Sequence, residues 1–401
     1  MSAAGTRLSG LVGAAATAAA ALAAVAAVAA VAAVGCGGGS EGPPAPPCEP
    51  APGVICTVAG TGIAGDGADD QPALQTRIYL PQDVSIGPDG RLYVVDWNNH
   101  RIRVRQDDGT LHIIAGIGEL GPMSDDPSTG RLNHPTQVTF DGAGHLVIAA
   151  WHNSRIKTMD PVTGDLIDVC GTGARGFAGD GGPASAAVLN LPVAVVFDTG
   201  GNMFISDQAN DRIRRVDAVT GTISTIAGVG PCLDPTACPA LGDGGPATSA
   251  FISLPQGQSA RPAGRIDIDP TGNLFVADSL NNRVRKIDPA GVITTVAGNG
   301  QLGATGDGGP ATDAALNDLA DVAVAPDGLY IADTDNDCVR VVSPDGIIST
   351  FAGICGQPGF SGDNGPATAA QLDNPSGVEI GREGEIYIAD SHNQRIRVVY
   401  P

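Results

Sequence analysis

Short apolar runs of four or five residues recur along this chain, and each leads into the same polar octet. Leu92-Tyr93-Val94-Val95 precedes Asp96-Trp97-Asn98-Asn99-His100-Arg101-Ile102-Arg103, and Leu274-Phe275-Val276-Ala277 precedes Asp278–Arg285. Octets of the form Asp-x-x-Asn-x-Arg-[Ile/Val]-[Arg/Lys] start at Asp96, Ala150, Asp207, Asp278, Asp333 and Asp390, at spacings of 54, 57, 71, 55 and 57 residues. A period of this length, holding four strands' worth of pattern, predicts a β-propeller. In one unit, Arg265-Ile266-Asp267-Ile268 alternates, Asp269–Asn273 supplies a turn, and Leu274–Asp278 is a second run. The octet turn follows, then Arg283–Ile287, another turn, and Val292–Gly298. Short β-branched runs separated by turn residues make a four-stranded antiparallel meander, one blade.

The expected fold is all-β, a six-bladed propeller of four-stranded antiparallel blades. The sixth unit has only three strands before Pro401, but Ile55-Cys56-Thr57-Val58-Ala59-Gly60 matches the fourth strands Ile223–Gly228 and Ile293–Gly298. The N-terminal strand is therefore expected to pair with the last blade and close the ring, which removes open sheet edges that template aggregation. The longest spacing marks an insertion between the third and fourth blades, carrying Cys232 and Cys238.

Composition narrows the partners. The chain carries 43 acidic against 22 basic residues, a net charge of −21, and such a surface repels phosphate backbones and anionic headgroups. Nucleic acid is excluded as a partner on this ground. Gly and Pro, 57 and 30 residues, fall at repeated places and mark turns rather than disorder.

Residues 1–36 read as an export segment, 37–53 as a Gly/Pro-rich linker and 54–401 as the propeller. Arg7 precedes an unbroken run of small and apolar residues from Leu11 to Val34, ending Ala33-Val34-Gly35-Cys36. This resembles a bacterial lipoprotein signal, which implies lipidation at Cys36, although Ala33 stands where that family usually has Leu. The alternative is an uncleaved N-terminal membrane anchor. Both place the propeller outside the cytoplasm, in a bacterial cell envelope, and touch the membrane only through the N-terminus. Export permits disulfides. Cys232 with Cys238, Cys338 with Cys355, and Cys48 with Cys56 are the expected pairs, leaving Cys170, aligned with Ala115, Ala227 and Ala297, free and buried.

The segment Gly272–Arg285, running from turn through strand into octet, resembles the NHL repeat. Gly179–Ser185, Gly242–Thr248 and Gly306–Thr312, all Gly-Asp-Gly-Gly-Pro-Ala-[Thr/Ser], are similar to segments of bacterial and teneurin-type NHL propellers. Gly362–Thr368 departs at Asn364, and Gly65–Ala73 is a looser version. The resemblance spans 54–401. It implies the propeller fold and leaves activity open, since that family holds protein-, carbohydrate- and RNA-binding modules, sensors and a lyase branch.

Candidate chemistry is sparse. Blade two has Ala150 in place of the octet Asp, and blade five has Cys338 in place of its first Arg, so no intra-blade ion pair is expected there. The octet is accordingly read as turn capping and packing by Asp and Asn. Octet turns and Gly-rich segments are expected on one face, which would collect Asp66, Asp69, Asp70, Asp125, Asp126, Asp180, Asp243, Asp307 and Asp363. Such loops suit a hard cation, yet lack the dense carboxylate spacing of a dedicated calcium loop. Turn shaping, with Pro starting a short helix as at Pro310–Leu316, is the preferred reading. Calcium or another divalent ion stays open as the one cofactor to weigh.

His100, His112, His134, His145, His152 and His392 are read as solvated loop residues, and no metal ligand is assigned. At the start of the innermost strand, where blade six has Gly377, stand Asp83, Gln137 and Asp321. These three are the candidate ligand-binding cluster at the channel mouth, with strand capping as the alternative. No catalytic motif is present: no Gly-x-Ser-x-Gly elbow, no Walker loop, and no helix behind Gly60-Thr61-Gly62. The chain therefore reads as an exported, tethered recognition or scaffold module for a protein, peptide or glycan. The alternative is a divalent-metal-dependent lyase or lactonase-like enzyme working in the central channel.

Overall fold

Leu92–Asp96 and Leu274–Asp278 are buried at every position. A strand alternates apolar and polar residues only when one face meets water, whereas here each blade packs on a neighbour on both sides. The apolar clusters accordingly lie between blades: Phe275, Val284, Leu316 and Leu319 meet Val322, Ile331 and Ile348, joining blades four and five. Each fully buried Leu, Ile or Val contributes on the order of 1.5–3 kcal/mol.

The computed structural model describes residues 48–120, 131–160, 162, 164, 166–232, 240–257 and 259–401. Cys36 and the export segment, the linker up to residue 47, Asp125, Asp126 and Cys238 lie outside them. Among the described residues six antiparallel sheets are present, four of four strands and two with a fifth, two-residue strand at the outer edge, Gln71–Pro72 and Gly365–Pro366; in all but blade six the four main strands run in chain order from the axis outward. Blade six consists of Pro375–Ile380, Ile386–Asp390, Arg395–Val399 and, on its outer side, Val54–Ala59. Thr57 faces Arg397 and Ile55 faces Val399 in that last pairing, which closes the ring as expected from the sequence.

In each blade the octet is a turn built one way. Asp96 ends the second strand, Trp97–Asn99 make one 3-10 turn, His100 takes a left-handed conformation (φ 54°), and Arg101 opens the third strand. The octet Asp is a buried hub. Asp96 accepts the Asn99 amide (2.9 Å), the Tyr79 backbone N–H (2.8 Å) and Arg103 Nε (2.8 Å). Asp278 is held likewise by Asn281, the Ser253 N–H and Arg285. The arginine is the eighth octet residue rather than the sixth. Its guanidinium is fully buried and also binds the Asp of the Gly-rich segment: Arg285 to Asp243 at 2.9 Å, Arg214 to Asp180 at 2.6 Å, Arg397 to Asp363 at 2.8 Å.

Two expectations are thereby corrected. Blade five does form the pair, Arg340 reaching Asp333 (3.4 Å) and Asp307. In blade two, Lys157 and Arg155 both pair with Asp168 on the outermost strand. The Gly-rich carboxylates have an internal, ionic role beside the turn shaping preferred from the sequence. Asp66, Asp180, Asp243, Asp307 and Asp363 are turned onto the arginines, in segments that run along the outer edge of the blade they lead into. The proline does start a short helix, Ala311–Asp313, of a single 3-10 turn.

Cys338–Cys355 and Cys48–Cys56 are bonded, and Cys170 is free and buried. Cys232 is also disulfide-bonded. The Cys338 bond has a structural counterpart. In other blades the sixth octet residue is an Arg that donates to a carbonyl 16 or 17 residues on, as Arg283 does to Asn299 O (2.6 Å) and Arg212 to Val229 O (2.8 Å). Blade five makes the same link covalently.

Replacing Arg285 by Met leaves Asp278 buried without its cation, and should cost about 3–5 kcal/mol in urea denaturation; a loss under 1 kcal/mol would contradict the hub. Cys355→Ala alone should lower the melting temperature. Cys338→Arg combined with Cys355→Ala should recover most of that loss and leave a blade five insensitive to reductant at this link.

Candidate functional site

The innermost strands present two rings of side chains to the axis, set by the two-residue period of a strand. The ring at the strand start is Asp83, Gln137, Ala194, Arg265, Asp321 and Gly377; two residues on come Ser85, Thr139, Val196, Asp267, Ala323 and Glu379. The second ring, with Asp83, Gln137 and Asp321 of the first, lines a cavity of about 230 Å³. The three sequence candidates do meet here, but the site also holds Arg265, Asp267 and Glu379, which the sequence reading did not single out. The available signal was register: Arg265 occupies the same strand-start position as Asp83 and Asp321.

Five polar side chains in the rings each accept a backbone N–H of the next blade. Asp83 accepts the Val138 N–H at 3.2 Å, Gln137 the Val195 N–H at 2.6 Å, and Asp267 the Val324 N–H at 2.7 Å. Asp321 accepts the Val378 N–H at 3.0 Å and Glu379 the Ile86 N–H at 3.3 Å. Arg265, fully buried, crosses the axis: it donates to Thr136 O of blade two (2.8 Å) and Ser376 O of blade six, and lies 3.6 Å from Asp321 of blade five. The bore thus already contains a cation supplied by the chain itself. Burial pushes the Asp83 carboxyl up to about 7, against the pull of Arg265, and Asp267 up to about 6. Asp321 is raised by the same cause, and Glu379 lies well above the usual carboxylate range.

On the octet face, the third octet residue varies in exposure, and Ala209 is buried in the core. These residues are Asn98, His152, Ala209, Leu280, Asp335 and His392, with Leu280, Asp335 and His392 exposed. The lead-in to blade four is eight residues longer in sequence than that of blade five, over 255–262. Arg261 from this insertion pairs with Asp318 (2.6 Å) and Asp335 (2.7 Å), and its carbonyl accepts Gln208 Nε2 at 3.0 Å.

The histidines are not all scattered. His100, His134 and His152 converge with Trp97 and Trp151 where blades one and two meet. His112 lies elsewhere, with Asp69 and Asp70, in an exposed trio whose ligand atoms fall within 4.8 Å of one another.

Comparison with known proteins agrees with this architecture. The Teneurin NHL domain matches residues 52–232 and the NHL repeat matches 372–399. The chain is an NHL-type β-propeller. It is 27% identical over 380 residues to teneurin-1 of Mus musculus, a match covering 87% of this chain and 13% of that protein. With mouse teneurin-4 it shares 30% identity over 363 residues, covering 80% and 12%. The chain thus spans about an eighth of the length of these relatives. Among solved structures, an auxiliary nutrient binding protein from Bacteroides thetaiotaomicron superposes with a TM-score of 0.60 at 15% identity, over 86% of this chain and 75% of that one. That likeness is one of fold.

The ring carboxylates make the NHL propeller's stability depend on pH. A carboxyl whose folded pKa is raised stabilises the fold fully below its unfolded value of roughly 4, and that contribution is lost as pH rises through the folded value. For Asp83 the window runs from about 4 to about 7. Asp83→Asn keeps an oxygen for the Val138 N–H and does not titrate. Its melting temperature should therefore gain on wild type by at least about 2 °C between pH 4 and pH 8. Parallel pH profiles would refute this.

Proposed function

We propose that this NHL propeller is an exported recognition module, tethered at the N-terminus through lipidated Cys36 or an anchor within residues 1–36. It binds a protein, peptide or glycan through the octet face. The observation that carries this reading is the third octet position. Five of the eight octet positions do repeated internal work, in the hub, the left-handed turn and the two basic contacts. The third position does no such repeated work: it passes through Asn, His, Ala, Leu, Asp and His around the ring, and Leu280, Asp335 and His392 are exposed. A rigid scaffold that carries different side chains where it meets solvent is suited to distinguishing ligands. Acidity favours cationic partners over phosphate-bearing ones. The disulfides suit an oxidising, extracytoplasmic compartment.

Asp83, Gln137 and Asp321 are better read as inter-blade staples than as ligand contacts, since each is occupied by a neighbouring backbone N–H. The same occupancy, with Arg265 across the bore, weighs against a divalent ion and a lyase or lactonase-like site in the channel.

A peptide and glycan array probed with the purified chain, followed by affinity measurement of the hits, tests the reading. The triple variant Leu280→Ala, Asp335→Ala, His392→Ala should weaken binding by about tenfold or more, because contact clusters of this kind hold most of an interface's affinity. Affinity unchanged in the triple variant but abolished by Asp83→Asn would move the site to the channel.

A further inference from the structure

His134 sits in the lead-in to blade two, at a left-handed position (φ 53°). Its Nδ1 lies 3.0 Å from Asn133 Oδ1 and 3.0 Å from His152 Nδ1. The amide oxygen can only accept, so the shared proton resides on His134 Nδ1 and is offered to both neighbours. Two nitrogens bound to one ion at about 2.0–2.1 Å stand roughly 3 Å apart when they subtend a right angle. The three donor atoms are therefore already spaced for an ion in the place of that proton.

We propose that Asn133, His134 and His152 form a binding site for one divalent transition-metal ion, copper, nickel or zinc. Two imidazoles and an amide, with no carboxylate, select these ions over calcium and magnesium. On binding, the His134 proton shifts from Nδ1 to Nε2 by exchange with solvent, so the ring stays neutral and its Nδ1 lone pair meets the ion, with the Asn133 oxygen and the His152 nitrogen as co-ligands.

The surroundings hold the ligands in place, as they do around metal-bound imidazoles generally. His100 Nδ1 accepts the His134 backbone N–H at 3.3 Å, with the two rings edge to face at 4.3 Å. The His152 ring stacks on Trp151 at 4.1 Å, and its carbonyl accepts Arg175 at 3.1 Å. Trp151 is itself fixed by its indole N–H to Gln208 Oε1 at 3.1 Å. This site does not depend on whether the octet face binds a polymer.

Both tryptophans of the chain belong to this cluster, so intrinsic fluorescence reports on it alone. Copper(II) added to the purified protein should quench the emission in a saturable phase complete at one equivalent, reversed by EDTA and competed by zinc. Copper EPR of the wild type should show nitrogen coupling. The saturable phase should vanish in His134→Gln and in His152→Gln, weaken by about 10–100-fold in Asn133→Ala, and persist in His112→Ala. The proposal is overturned by a wild type without a one-equivalent phase, a measurement that holds even where a variant fails to fold. Undiminished quenching in His134→Gln, or loss in His112→Ala instead, overturns it equally, the latter by assigning the ion to the Asp69–Asp70–His112 trio.

Discussion

A carboxylate with no access to water, holding three donors at once, is the constraint from which this ring is built. The octet Asp takes one bond from its own turn, one from the backbone arriving at the blade, and one from the eighth-residue Arg. That Arg then reaches outward to the Gly-rich lead-in. Inner lead-in, turn, third strand and outer edge are thus fastened by a single buried Asp–Arg–Asp chain. Desolvating such charges costs several kcal/mol per ion, so the arrangement depends on the bonds that meet most of its lone pairs and protons, although one nitrogen each of Arg103, Arg285, Arg340 and Arg397 has no hydrogen-bond partner among the described residues. A full hub therefore specifies blade geometry more than it adds net stability.

The exceptions show that the chemistry is retained where the residues are not. Blade two lacks the hub carboxylate at Ala150. There Asn153 accepts the Asn133 N–H at 3.1 Å, the bond an octet Asp would take, and Asp168 supplies the counter-charge for Lys157 at 2.7 Å. Blade five lacks the sixth-position Arg, and the Cys338–Cys355 bond spans the same stretch of chain. Loss of one member forces a local substitute, because an unpaired buried charge or carbonyl would cost more than the substitution.

The fold was legible in the sequence because a repeated constraint writes a repeated pattern. The octet, the closing strand and the cysteine pairs at Cys338 and Cys48 could all be read by aligning the chain with itself. The hub pair was missed for a related reason: attention fell on the sixth-position Arg, whereas the bond runs to the eighth, seven residues from its Asp. The channel was only half legible. Asp83, Gln137 and Asp321 stood out as polar residues at one register, but Asp267 and Glu379 lie two residues further along, and nothing in one blade's sequence says that Arg265 spans the axis. The histidine cluster was illegible altogether. His100 is a fifth octet residue, His152 a third and His134 a lead-in residue, so no shared register connects them; only the lateral contact of two blades does.

That separation between repeated and unrepeated positions carries the functional argument as well. The residues that shape the blades are satisfied within the protein, and the channel polar groups are satisfied between blades. Five channel side chains each hold a neighbouring backbone N–H, which makes the bore a seam that locks the ring against shear. Arg261 then ties the lead-in of blade four to blade five. A ring locked on its axis cannot open to admit a substrate there without breaking several buried bonds at once. On the proposed reading, the free energy for recognition comes instead from groups whose bonds are still to water, Leu280, Asp335 and His392 among them, on a face the hubs hold rigid.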